Sequence, residues 1–152
     1  MSPRPAIDIT TIVPRPADEL WTIVTRPEGV NAELMPLVRM TFPTSDLTIA
    51  DAPPDEPFFV SWLLLFGFLP FDRHVLIIHK TGPRFFIERS HSLMQKLWQH
   101  ERYLSDAEGG TAVRDIVTVI PRLIFLSALT NTIVAMIFRH RHRRLARRYN
   151  AN

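Results

Sequence analysis

The sequence predicts an α+β fold: an antiparallel sheet with one buried face, covered by a long C-terminal helix. Three observations carry this. From Phe58 to Val119 the chain reads as a succession of β-branched and aromatic runs separated by turn residues. Beyond Pro121 the period changes, and Ser127, Asn131, Val134, Phe138, His142, Leu145 and Tyr149 recur three or four apart on one helical stripe. The turn "SDAEGG" joins two strands whose facing positions can be worked out from parity.

Taken in order, "AIDITTIV" (6–13) is a strand stopped by Pro14 and Pro16. "ADELWTIVT" follows as a helix with acids in its first turn, which suits the positive end of the helix dipole. "PEGVNAELMPL" is a second short helix, opened by Pro27 and ended near Pro36. Residues 37–42 are a candidate strand, and "PTSDLTIADAPPDEP" is a polar, proline-rich connection. The remaining strands are "FFVSWLLLFGFL", ended by Pro70, then "DRHVLIIHK", "RFFIERSH", "LWQHERYL" and "TAVRDIVTVI". Residues 122–149 complete the chain as one helix. The length of 152 residues suffices for one domain with its own core, taken as 1–152.

Pairing across the Ala107–Gly110 turn sets Trp98, His100, Arg102 and Leu104 on one face with Val113, Asp115, Val117 and Val119. Gln99, Glu101 and Tyr103 share the other with Arg114, Ile116 and Thr118, giving an expected Glu101–Arg114 pair. If the first face is inside, Arg102 and Asp115 lie opposite each other, and a buried charge needs such a partner. This can be a structural ion pair, a polar anchor in a ligand cavity, or a catalytic arrangement of His100 with Asp115.

Composition narrows the function classes. There is no cysteine, which excludes a disulfide scaffold, thiolate metal sites and thiol catalysis, and fits a reducing, cytoplasmic setting. The first ten residues have no apolar core, so no secretory leader is expected. Residues 139–148 hold six arginines and no acid, leaving 12 basic and 15 acidic residues elsewhere. The body is therefore mildly acidic and the C-terminal end basic. The charge-free run Leu123–Phe138 is 16 residues, about 24 Å of helix, short of the roughly 20 residues of a membrane span. Its apolar stripe also continues past the arginines to Leu145 and Tyr149, as in a helix docked on a sheet. The arginines Arg139, Arg141, Arg143, Arg144, Arg147 and Arg148 suit a solvated helix end or peripheral contact with an anionic membrane. Nucleic acid is disfavoured, because no helix-turn-helix, zinc-finger or RNA-binding signature accompanies them. His140 and His142 point in different directions on a helix and lack a third ligand, so no metal is expected, nor any other cofactor.

The stretches "VPRPADELWTIVTRPEGVNAELMPLV", "FGFLPFDRHV", "RFFIERSHSLMQKLWQHERYL", "GGTAVRDIVTVIP" and "IFRHRHRRL" together resemble the SRPBCC superfamily, the START-like, helix-grip group. That group includes polyketide cyclases, lipid-transfer domains and the birch-pollen-allergen relatives, and the nearest likeness is to its small bacterial ligand-binding members. The resemblance covers nearly the whole chain. It departs where relatives carry Gly-Pro before the Trp98-x-His100 strand, since this chain has Leu93-Met94. It implies a curved antiparallel sheet of about six to seven strands gripping the long helix, with a cavity between them.

Three readings of function follow. The first is binding, carriage or sensing of a hydrophobic small molecule or lipid. Its walls would be Trp62, Leu64, Phe66, Leu76, Ile78, Trp98, Val117, Phe125 and Phe138, with His100, Arg102, Asp115 and Asn131 orienting a polar end. The second is a cyclase or dehydratase with His100 as general acid or base and Asp115 beside it; no nucleophile constellation supports it further. The third is a membrane-associated module using the apolar stretch Phe58–Phe71 or the C-terminal arginines. A second copy of the chain is a candidate partner that could close the cavity.

Overall fold

The computed structural model describes residues 3–150. Seven strands form one antiparallel sheet: β1 (Ile7–Val13), β2 (Val38–Met40), β3 (Pro57–Leu65), β4 (Leu69–Gly82), β5 (Phe85–Ser92), β6 (Gln95–Ala107) and β7 (Gly110–Pro121). Their order across the sheet is β1-β7-β6-β5-β4-β3-β2, so a meander of five consecutive strands is flanked by β1 on one side and β2 on the other. Helices α1 (Ala17–Val24) and α2 (Pro27–Leu34) lie between β1 and β2, and α3 (Ser127–Asn150) follows the last strand. Register shifts in β3–β4 and β4–β5 mark bulges, which bend strands and let a sheet curl around a helix.

The β6–β7 hairpin has the register that parity predicts, with Arg102 opposite Asp115 and His100 opposite Val117. Leu104, Val113, Val117 and Val119 are buried on the inner face. On the outer face the expected Glu101–Arg114 pair does not form. Arg114 reaches β1 instead and donates to Asp8 (2.6 and 2.9 Å), while Glu101 accepts the Tyr103 hydroxyl (2.7 Å). The reason is that β1 pairs with β7, which placed a carboxylate nearer to Arg114.

Three boundaries differ from the sequence expectation. The greasy run 58–69 is not one strand: β3 ends at Leu65, and the chain turns through Phe66 and Gly67, both at positive φ (55° and 88°). Pro70 therefore lies inside β4 rather than ending a strand. It is tolerated because β4 pairs with β5 only from His74 onward, so no ladder needs its missing N–H on that side. Residues 121–123 are not helical, and a 3₁₀ turn (Ile124–Leu126) leads into α3.

α3 packs on β1 and β7 and against α2. Its stripe residues Val134, Phe138, His142, Leu145 and Tyr149 are buried, as is Arg141 beside them. Among the described residues no helix is long and apolar enough to cross a membrane. The hairpin turn into β7 uses Gly110 at φ 143°, and a Cβ there would collide with the Val13 carbonyl of β1. We expect Gly110→Ala to lose about 1–3 kcal/mol of stability. Gly109→Ala, in open space at φ 86°, should lose less. Urea denaturation midpoints with unchanged m-values compare the two.

Candidate functional site

Because α3 covers the β1–β7 side of the curled sheet, the β3–β6 side is left facing the helix across a gap. That gap is a cavity of about 400 Å³, inside the range of small-molecule sites. Its walls come from α2 (Val30, Leu34), β2 to β6, and α3 from Thr130 to Arg141, a helical length of about 16 Å. Most of the lining is apolar, and five charged or titratable side chains, Asp72, His74, Glu88, His100 and Arg141, interrupt it.

Of the wall residues expected from sequence, Leu76, Trp98, His100 and Phe138 line the cavity. Ile78 and Val117 are buried but packed into the core on either side of it. Trp62 and Phe66 are corrections: both are solvent-exposed, Trp62 because the inward set of β3 is the odd one and Phe66 because it sits in the turn after the strand. Phe59 pairs with Leu76, Ser61 with His74 and Leu63 with Asp72. Leu64 is buried outside the walls, past the bulge that places Phe71 opposite nothing. Phe125 is another correction, 78% exposed on the 3₁₀ turn before α3. Asn131 is not in the lining either, and its Oδ1 is buried without a partner.

Arg102 and Asp115 do not face the cavity; they lie behind its wall in a closed ionic cluster. Arg102 donates two bonds to Asp115 (2.8 and 2.6 Å) and two to Glu33 on α2 (2.9 and 2.7 Å). Arg141 of α3 donates to Glu33 as well (3.1 Å) and stacks over the Phe138 ring. His142 Nε2 and His100 Nε2 both donate to Asp115, each at 2.7 Å, and His142 Nδ1 meets the Thr11 hydroxyl at 2.8 Å. Every one of these side chains except Thr11 is at least nine-tenths buried.

Burial alone would raise the Asp115 pKa, but Arg102 and His100 outweigh it and hold the carboxyl well below the usual range. Glu33 is treated the same way: burial pushes up, Arg102 and Arg141 pull further down. His100 is pushed below its ordinary value by burial and by Arg141 and Arg102, against the pull of Asp115, so its ring is neutral at pH 7. A second cluster sits in the wall itself. Glu88 Oε2 accepts from His74 Nε2 (2.7 Å) and from the Ser90 hydroxyl (2.6 Å). Burial raises the Glu88 pKa, but the hydrogen bond from His74 and the neighbouring donors more than offset it, so the group is ionised. Chemically, the wall offers a carboxylate and a neutral imidazole, both able to accept a proton or a hydrogen bond. Among the described residues no group of three His, Asp or Glu side chains is arranged to hold a metal ion.

Sequence reasoning missed Glu33, His74, Glu88, Arg141 and His142 as partners. His142 lay on the predicted stripe, and "HVLIIH" and "FFIERS" alternate so as to set His74 with Leu76 and Glu88 with Phe86 and Ser90. Glu33 gave no signal, since it reaches Arg102 from 69 residues away.

The architecture is a helix-grip fold, as the resemblance implied, and solved structures share it. Protein CV1439 from Chromobacterium violaceum superposes with a TM-score of 0.74 at 11% identity, over 96% of this chain and 97% of that one. Ara h 8.0201 gives 0.64 at 13% identity, over 96% and 97%. DynU16, from the dynemicin biosynthetic locus, gives 0.61 at 17% identity over 95% of this chain and 47% of its own. Residues 11–149 match the family described as a domain of unknown function, DUF8410, and the chain belongs to that family. No curated protein sequence matches it.

Removing one member of a buried ion cluster leaves the others uncompensated. Asp115→Asn should therefore cost about 3–5 kcal/mol in denaturant unfolding. The pH dependence has a definite sign. Asp115, Glu33 and Glu88 have folded pKa values below their unfolded ones, so their contribution is complete above about pH 5 and is lost as pH falls through the acid range. His100, depressed too, adds a loss that begins near pH 6.5. Stability against pH should fall in those two stages, and in Asp115→Asn the lower stage should be shallower.

Proposed function

We propose that this protein binds a hydrophobic small molecule or lipid in the cavity between the sheet and α3, for carriage or sensing. The supporting observation is the cavity itself: about 400 Å³ of space walled by Leu76, Trp98, Ile137 and Phe138 beside a small number of polar groups. A folded chain gains by filling such space with its own side chains, since empty volume forfeits dispersion contacts. Retaining it is the usual geometry of a ligand site. The ionic cluster behind the wall fixes β6, β7, α2 and α3 relative to one another and keeps the space open. The cysteine-free chain suits the cytoplasm, which this reading adopts as its setting. The catalytic alternative places His100 as an acid or base, and would need a substrate proton within reach of its free nitrogen.

Titration with diphenylhexatriene, an apolar dye without polar groups, tests the reading. Saturable binding is expected, and Ile137→Trp, which fills the cavity, should weaken it at least about tenfold. Ile12→Ala, on an exposed position of β1, should leave it unchanged. Equal binding by both variants would place the dye elsewhere.

One observation favours a membrane as the source of the ligand. The β3–β4 turn, the β5–β6 turn and the 3₁₀ turn before α3 lie at the same end of the sheet, and Arg122 N donates to Met94 O there (3.0 Å). Phe68, Ile124 and Phe125 are 70–78% exposed, with Phe66, Leu69, Leu93 and Leu123 exposed around them. Phe71, Met94 and Ile133 belong to this collar and to the cavity lining alike. Arg39, Arg73, Lys96 and Arg122 are exposed among these residues, so the collar is cationic as well as apolar. Such a surface complements anionic lipid. The C-terminal arginines are placed less well for this: Arg141 is buried, and the first exposed one, Arg139, lies about 18 Å along α3 from its first residue. In flotation with phosphatidylglycerol-containing vesicles, Phe68→Glu with Phe125→Glu should abolish salt-sensitive association, while Arg147→Glu should leave it nearly intact.

A further inference from the structure

We propose that the ligand of this cavity carries a hydrogen-bond donor, an alcohol or phenol hydroxyl, which it donates to Glu88 Oε1 or His100 Nδ1. The proposal rests on the cavity-binding reading and specifies the chemical class of its ligand.

His100 Nε2 faces Asp115 Oδ1 at 2.7 Å. Asp115 is clamped by Arg102 and ionised, and an ionised carboxylate only accepts. Nε2 must therefore carry the hydrogen. In a neutral imidazole the other nitrogen, Nδ1, is then a bare lone pair. Glu88 uses Oε2 for both His74 and Ser90, while Oε1 has no hydrogen-bond partner among the described residues. Oε1 stands 3.8 Å from His100 Nδ1, too far for a hydrogen bond and with no proton between the two atoms.

Two acceptors thus face each other in the cavity wall, on side chains 7% and 4% exposed. Both atoms open on the cavity, and a ligand that displaces water from them must supply a donor in its place. A hydroxyl arriving along the apolar cavity donates its single hydrogen to Glu88 Oε1 or His100 Nδ1. A fatty acid brings a carboxylate, which adds a third acceptor and a like charge beside Glu88. An ether or a hydrocarbon leaves both acceptors unsatisfied. Arg141 is the one arginine or lysine in the lining among the described residues, and its Nε and Nη2 are already committed to Glu33 at 3.1 Å. Phe86 and Phe138 meet the His100 ring edge-on, with centroids 5.2 and 4.9 Å away, and hold it in place.

The test is displacement of diphenylhexatriene by three probes sharing one chain: 1-dodecanol, its methyl ether, and dodecanoate. A hydrogen bond to a charged buried acceptor predicts at least about tenfold tighter binding of the alcohol than of either other probe. In Glu88→Gln the new amide can itself donate, so the advantage of alcohol over ether should shrink to within about twofold. A melting curve checks that this variant is folded, and the wild-type series decides alone if it is not. Equal competition by alcohol and ether, or tighter binding of dodecanoate, would overturn the proposal and leave the cavity reading standing. No binding of the dye or of any probe would remove both.

Discussion

The carboxylate of Asp115 is the constraint on which the rest of the structure depends. It is fully buried on β7, and four groups from β6 and α3 converge on it or on its partner Glu33: Arg102, His100, His142 and Arg141. An isolated charge there would be untenable. Satisfying it requires the β6–β7 register, the docking of α3 and the position of α2 all at once. The cluster contributes little net stability over an apolar equivalent, because desolvation consumes most of the Coulomb gain. Its effect is on uniqueness of arrangement: a one-residue slip of β6 would exchange Arg102 for Glu101 and leave Asp115 facing a like charge.

That arrangement also explains where the empty space lies. Apolar contacts of α3 run along Val134, Phe138, Leu145 and Tyr149 toward β1, β7 and α1. The curled strands β3 to β5 are tied instead to α2 and to the 3₁₀ turn at Ile49–Asp51. The helix thus leaves a gap between itself and the far strands, which bend at the bulges Leu63/Leu64 and Ile78/Lys80. Cavity and ionic cluster follow from one decision about which half of the sheet the helix touches.

The parts legible in the sequence are those with local periodicity. The Ala107–Gly110 turn fixed a register, and register fixed the inner face down to the opposition of Arg102 and Asp115. The α3 stripe predicted a docked helix even through the arginines. Phe58–Phe71 was opaque for a physical reason: its even and odd positions are nearly equally apolar, and the one polar member, Ser61, points inward to pair with His74. Alternation carries no information when both faces are greasy. Phe125 misled in another way, since an aromatic just ahead of a helical stripe looks like its first turn, whereas the chain there is a 3₁₀ turn off axis. Glu33 could not be found from pattern at all, because its role is defined by a partner 69 residues away.

The two polar clusters differ in how completely they are closed, and the difference separates structure from function. In the cluster around Asp115 the bonds to Arg102, His100 and His142 leave no carboxylate oxygen unpaired. That is what a structural device requires, because a half-satisfied network is worse than an apolar core. The Glu88 cluster stops one bond short. Its Oε2 is doubly satisfied while Oε1 looks across at the nitrogen that His100 has turned away from Asp115. The closed cluster therefore sets the state of the open one: by fixing the hydrogen of His100 on Nε2, Asp115 determines that an acceptor, not a donor, is shown to the cavity. Under the proposed reading, stability and selectivity would meet at that ring, and a change behind the wall would reach the cavity side through the position of one proton.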